Sequence, residues 1–364
     1  MMETRVLLVK ADAVADGGGG LYRNPVVEVS RRAVGPVPAG HLRLRMAYAG
    51  ICGTDLHLVS AHPGTGRLMT SAPVLIPEEG RVMGHEGIGE VLAVGAGVSG
   101  WNPRQWVVPA SVLDCGDCPP CLGGFPNQCR MARLLGLEFD GLFAEVADIP
   151  ARMAVDVTMA AGNETSRQAL ACLEPAATAL HACMVAGAGP EDSVVVFGAG
   201  PIGGFAAMIA RCLLGCRRVT VVEPQEARRA LVAPWCDEVC TPEEFVDGGG
   251  KFDVLIEAGG ALAAVNAAVK RLEARGRVVL LARAGRPLVL DDMDHIISQA
   301  ITVAGCRGQL GGYMEKMLEA FRSGAFPLGG LVTSVHAGIT ELAEHLREPT
   351  QLVTEDCKVL TRFP

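Results

Sequence analysis

Residues 1 to about 110 alternate short runs rich in β-branched residues with glycine and proline turns: VVEVS (26–30), LRLRMAYAG (42–50), GIGEVLAVG (87–95) and QWVVPASV (105–112). Period-two alternation punctuated in this way predicts the strands of a β-rich, barrel-like unit. From about residue 177 the pattern changes. A helical run (177–188) leads to the apolar strand SVVVF (193–197), a glycine turn and a second helical run (203–214). Strand VTVVE, helix EARRALV, strand FDVLIEAGG, helix ALAAVNAAVKRLEA and strand GRVVLLA follow. Strands alternating with helices predict a parallel, doubly wound sheet. The tail from about 306 mixes the helices YMEKMLEAFRSG and ITELAEHLRE with the strands LVTSV and CKVLTRF, and is expected to rejoin the β-rich part. The expected division is therefore 1–176 with 306–364 for one domain and 177–305 for the other.

Composition agrees with two globular domains: 364 residues, 49% hydrophobic and 20% charged. A net charge of −8 without a long Lys/Arg run argues against a nucleic-acid partner. No apolar stretch reaches the roughly 18 residues that span a bilayer, so no membrane partner is expected. MMETRVLLVKADAV reads as a first β-strand and not as a signal peptide, which makes a soluble, cytoplasmic protein the expectation. The GGGG at 17–20 is expected to form a flexible loop too short to separate domains. Thirteen cysteines would stay reduced in the cytoplasm, which favours metal ligation over disulfides wherever thiols cluster. Scattered ones such as Cys212, Cys216 and Cys240 read as small buried hydrophobes.

The glycine turn FGAGPIGG sets Gly198, Gly200 and Gly203 in G-x-G-x-x-G spacing, with Pro201 and Ile202 between. It leaves an apolar strand and opens a helix, the context in which such glycines let backbone N–H groups approach a pyrophosphate. Strand VTVVE ends in Glu223, about 20 residues further on, where a carboxylate can accept both ribose hydroxyls of NAD and repel the 2′-phosphate of NADP. Arg217, Arg218 and Arg228 flank this region, with Arg228 counted among the cofactor-binding positions. The competing reading is a glycine-rich turn beside a solvent-facing glutamate.

Two kinds of metal site are suggested. Cys52 in GICGTDLH and His85 in GHEGIGEV offer a thiolate and an imidazole which, with one more ligand, would make a zinc site with an open position for substrate oxygen. Taken alone, each could equally be a buried small residue and a satisfied polar group. Cys115, Cys118, Cys121 and Cys129 follow the pattern C-x2-C-x2-C-x7-C. Four thiolates fill a tetrahedral zinc and make a closed, structural site; an iron–sulfur cluster would accept the same ligands.

GICGTDLH, GHEGIGEV, the four-cysteine lobe at 114–130, ACLEPAATALHA (171–182) and FGAGPIGG occur in the order found in zinc-dependent medium-chain alcohol and polyol dehydrogenases, which the chain resembles over nearly its whole length. GICGTD and the tail from ELAEHLRE onward look most like the sorbitol- and glucose-dehydrogenase side. The resemblance implies a GroES-like catalytic domain and a Rossmann NAD-binding domain, two zinc ions per chain (one catalytic, one structural) and a homodimer or homotetramer. It makes Cys52 and His85 catalytic-zinc ligands, with Glu86 ligating zinc or lying close behind it. Glu174 matches the position where polyol dehydrogenases carry a carboxylate and many simple alcohol dehydrogenases a cysteine. Asp55 matches the carboxylate that orients His85. Thr54 and His57 match the relay that carries the alcohol proton to solvent. The implied reaction moves hydride between NAD(H) and a secondary alcohol or ketone of a polyol, sugar or cyclitol. Around the substrate, GLEFDG (136–141) offers Glu138 and Asp140 as hydroxyl acceptors, Arg307 could face the nicotinamide end, and 60–80 could cover the site. ARLL stands where glucose dehydrogenases carry a sugar-binding acid, which argues against glucose itself. A zinc-free enoyl or quinone reductase, or a zinc-stabilised NAD-binding protein without activity, would show itself by active protein lacking zinc, or by an unimpaired Cys52→Ala variant.

Overall fold

A computed structural model describes residues 3–14, 22–348 and 355–364 of the chain; the loop expected at 17–20 lies outside the described residues. The chain divides into two compact units. The first runs through Glu174, resumes at Leu328 and closes with Lys358–Pro364; the second is Pro175–Pro327, joined by the residues just ahead of Lys358.

In the first unit a seven-stranded sheet is organised around strand His41–Gly50. That strand pairs antiparallel with Glu86–Val94, Val146–Pro150 and Lys358–Arg362. Its residues alternate as the sequence pattern requires: Leu42, Leu44 and Met46 are buried, while Arg43 and Arg45 turn away from the core. Each such buried side chain contributes about 1.5–3 kcal/mol. Leu7, Val9 and Ile149 join the same core from other strands and Phe143 from a loop, and helix Gly338–Arg347 covers it with Ile339, Leu342, Ala343 and Leu346. Those four fall at i, i+3, i+4 and i+7, which is one helical face.

The second unit holds a six-stranded sheet, parallel throughout. Its spatial order is Glu238–Cys240, Arg218–Val222, Ser193–Phe197, Phe252–Glu257, Leu272–Leu280, Thr302–Gly305. Numbered along the chain, this is 3-2-1-4-5-6, the Rossmann arrangement, with its switch point beside Ser193–Phe197. The three central strands, Arg218–Val222, Ser193–Phe197 and Phe252–Glu257, are nearly continuous buried runs, as expected of a parallel sheet covered on both faces.

One expectation shifts. The tail was expected to leave the second unit at about 306, but that unit extends to Pro327. Strand Thr302–Gly305 ends the parallel sheet, and the segment after it packs there: Tyr313 meets the His181 ring at 5.6 Å and Phe326 meets Phe205 at 6.2 Å. Among the described residues no helix is long and apolar enough to cross a membrane.

Candidate active site

Cys52 stands immediately before helix Gly53–Val59, and Asp55 lies in its first turn. The Cys52 N–H donates to Asp55 Oδ2 at 2.9 Å, so the helix start itself ties the two side chains together. The other carboxylate oxygen, Oδ1, lies 3.9 Å from His85 Nδ1. Strand Glu86–Val94 begins directly after His85, and Gly84 before it takes φ +86, with a Cβ there meeting the Phe143 ring at 2.4 Å. Only glycine fits that turn, and the turn carries His85 and Glu86 into the site.

Ligand atoms of Cys52, His85 and Glu86 all lie within 4.8 Å of one another. Asp55, His85 and Glu86 are buried. Burial pushes the Cys52 thiol up, and the Asp55 charge adds to the effect. Burial likewise raises the Asp55 carboxyl against the pull of His85. Among the described residues Asp55 Oδ1 and His85 Nδ1 have no hydrogen-bond partner. A thiol, an imidazole and a carboxylate that converge in this way make a donor set that suits zinc.

Thr54 Oγ1 lies 3.8 Å from Cys52 Sγ. His57 is half-buried on the same helix, and burial lowers its imidazole below the ordinary value. Glu174 is buried but stands outside the converging set; its Oε1 accepts the Ser111 hydroxyl at 2.5 Å. Sequence reasoning missed Ser111, and also missed Lys358. The latter is fully buried and donates to Ile51 O at 2.9 Å and to Glu86 Oε2. Burial pushes Lys358 down to about 8, opposed by the charges of Cys52 and Asp55. Its only sequence signal is a lysine opening the apolar strand KVLTR.

The four-cysteine lobe closes on itself. Sγ atoms of Cys115, Cys118, Cys121 and Cys129 lie within 4.8 Å of one another, with separations of 3.4 Å (118–121), 3.8 Å (118–129) and 3.5 Å (115–129). A tetrahedron with 2.3 Å zinc–sulfur bonds has edges of about 3.8 Å, whereas a disulfide needs about 2.05 Å. N–H groups of Cys115 and Met131 point at Cys129 Sγ at 3.3 and 3.2 Å. Backbone donors, Arg130 first, bring Cys118 down to about 6, which favours the thiolate.

In the second unit, Gly198 takes φ +89, and a Cβ on Gly203 would lie 1.9 Å from Gly198 O. Helix Pro201–Cys212 starts from Gly200 with Pro201 and Ile202 in its first turn. Glu223 is buried and not solvent-facing; it accepts Ala199 N–H at 2.7 Å and Gln225 N–H at 3.0 Å, which sets its carboxylate against the glycine turn. Arg228 donates to Asp356 O at 2.8 Å, and Arg217 and Arg218 pair with Asp253 and Glu238.

The weaker substrate candidates are not brought together. Glu138 accepts the Leu134 N–H within its own loop at 2.9 Å. Asp140 joins Arg32 and Arg81 at 2.8 and 2.7 Å, an ion-pair role within the fold. Arg307 follows strand Thr302–Gly305 in the second unit.

Residues 38–159 match the alcohol dehydrogenase GroES-like domain, and residues 201–323 match the zinc-binding dehydrogenase domain. The chain is 29% identical to L-threonine 3-dehydrogenase of Pyrococcus furiosus over 89% of its own length and 91% of the relative's. It is also 29% identical to sorbitol dehydrogenase of Halalkalibacterium halodurans, over 75% of this chain and 78% of that one. Its fold matches a structure described as a short chain alcohol dehydrogenase (rspB) from Escherichia coli CFT073 with NADH, with a TM-score of 0.83, 23% identity and 99% of both chains covered.

Proposed function

The chain belongs to the zinc-dependent medium-chain dehydrogenases of the alcohol and polyol family, and from that premise we propose that it transfers hydride between NAD(H) and a secondary alcohol or ketone of a polyol, sugar or cyclitol. The observation that carries this reading is the convergence of Cys52, His85 and Glu86 with Asp55 directly behind His85. Cys52 and His85 would hold the catalytic zinc, with Glu86 or Glu174 as the carboxylate of the set. Zinc in such a site supplies a Lewis acid that lowers the pKa of a bound alcohol and leaves a coordination position open to it.

The protein's own groups do the rest. Asp55 Oδ1 stands 3.9 Å from His85 Nδ1, on the side from which a carboxylate orients such a ring, so Nε2 would be the nitrogen offered to the metal. Lys358 balances the charge of Glu86 where both side chains are buried. The Thr54 hydroxyl takes the alcohol proton and His57 receives it, a task for which a neutral imidazole is needed at pH 7. NAD is favoured over NADP because Glu223 lies buried beside the glycine turn, while Arg217, Arg218 and Arg228 have partners elsewhere. Cys115, Cys118, Cys121 and Cys129 would hold a second, structural zinc.

The test is a screen of polyols, sugars, cyclitols and amino alcohols for NAD reduction by zinc-loaded enzyme. L-threonine belongs in the screen because of the threonine dehydrogenase likeness. Turnover of at least one polyol, sugar or cyclitol, lost in Cys52→Ser, supports the proposal; turnover confined to amino alcohols would overturn the substrate class.

A further inference from the structure

Away from both cysteine-containing sites, three more ligand-bearing side chains converge in the first unit. His336 lies near the end of strand Val332–Ala337, an edge strand of the seven-stranded sheet, and Glu341 and His345 lie on helix Gly338–Arg347. Gly338 at φ +74 turns the chain sharply from strand into helix and so brings His336 back over the first helical turn. Glu341 and His345 are spaced i, i+4 and share a face. That face is not the one buried by Ile339, Leu342, Ala343 and Leu346.

His336 Nδ1 lies 2.9 Å from Glu341 Oε1 and 3.2 Å from His345 Nε2, and the third edge of the triangle is 3.9 Å. Two imidazole nitrogens and a carboxylate around a tetrahedral ion with bonds of 2.0–2.2 Å are separated by about 3.3–3.6 Å, which these distances bracket. With both rings neutral, a proton on His336 Nδ1 serves the two short edges and leaves the lone pairs of Glu341 Oε1 and His345 Nε2 facing each other across the 3.9 Å edge. A single cation relieves that edge. Glu341 is anchored, because Ala337 N–H donates to its Oε2 at 2.7 Å. All three side chains are partly exposed, so an ion can enter from solvent and keep a water as fourth ligand.

We propose that His336, Glu341 and His345 form a further metal site for a first-row divalent ion, zinc by its donor set, that clamps the edge strand Val332–Ala337 to helix Gly338–Arg347. Imidazole ligands select such ions over calcium and magnesium, which take oxygen. The two imidazole rings lie tilted by 39° with centroids 3.9 Å apart.

The ligand set contains no sulfur, which separates this site spectroscopically from the two that contain cysteine. Full-length protein, washed with a weak chelator, is titrated with Co²⁺ and followed by visible absorption and metal analysis, beside Glu341→Gln and His345→Ala. The expected result is one equivalent of Co²⁺ whose d–d bands appear without thiolate-to-cobalt charge transfer. Either substitution should weaken that equivalent by more than the roughly 10–100-fold cost of losing an outer-shell partner, with the thiolate bands unchanged. Absence of a sulfur-free equivalent in the unmodified protein, or equal uptake by all three proteins, would overturn the proposal.

Discussion

Lys358 and Glu86 form a buried ion pair, 272 residues apart in the chain and on the two strands that flank His41–Gly50 in the sheet. Removing one partner of such a pair leaves the other charge buried and uncompensated, at about 3–5 kcal/mol. Lys358→Met should therefore lower stability by that amount in chemical denaturation. Adding Glu86→Gln should recover a substantial part, giving a coupling energy in the double-mutant cycle. Additive losses would show that the two groups do not act as a pair.

The two cysteine sites should separate by phenotype. Cys52→Ser is expected to abolish turnover with the melting temperature within a few degrees of the parent, since the fold around Cys52 is held by strands and by the Asp55 cap. Cys118→Ser is expected to reduce soluble yield and melting temperature, because the lobe has few buried side chains and depends on its metal. Equal effects of the two substitutions would contradict this division.

Glu223→Ala should act in two ways. Ala199 N–H and Gln225 N–H lose their acceptor, costing about 1–3 kcal/mol of stability. The NAD:NADP ratio of kcat/KM should fall at least about tenfold, about 1.4 kcal/mol of discrimination. An unchanged ratio would remove Glu223 from cofactor selection.

Burial lowers the His57 pKa, so the neutral ring that accepts a proton persists to lower pH than for a free imidazole. The acid limb of kcat/KM for alcohol oxidation should accordingly lie below about 6.5, the unperturbed value. His57→Gln should remove that limb and slow oxidation at every pH above it. A limb above 6.5, or one that survives the substitution, would assign the titration elsewhere.

Much of this architecture is legible along the chain because its signals are local. The strand–glycine–helix turn at 193–204 names its own geometry, and C-x2-C-x2-C-x7-C implies a closed lobe by counting donors. Glu223 is found in the same way, at a fixed distance beyond the turn. Lys358 is not, because a lysine at the start of a strand looks like a surface lysine until the strand opposite supplies Glu86. The same holds for helix Tyr313–Arg322: an amphipathic period shows that one face will be covered, but does not say by which sheet. His336, Glu341 and His345 escaped notice because their spacing belongs to a strand, a turn and a helix together, and no single period contains it.

Strand Lys358–Arg362 has a consequence for the order in which the protein is made. It lies between His41–Gly50 and Val332–Ala337 in the first unit's sheet, yet it is translated after the entire second unit. At about 5–20 residues per second, the parallel sheet has its strands in hand while the other still waits with one side of Tyr48–Gly50 presenting unpaired N–H and C=O groups. The nascent chain is then a finished cofactor-domain sheet attached to an open β-edge, with Glu86 still lacking its lysine. The ribosome-bound protein is most exposed to strand-swapping and aggregation in that interval, and what ends the exposure is the arrival of a single five-residue strand.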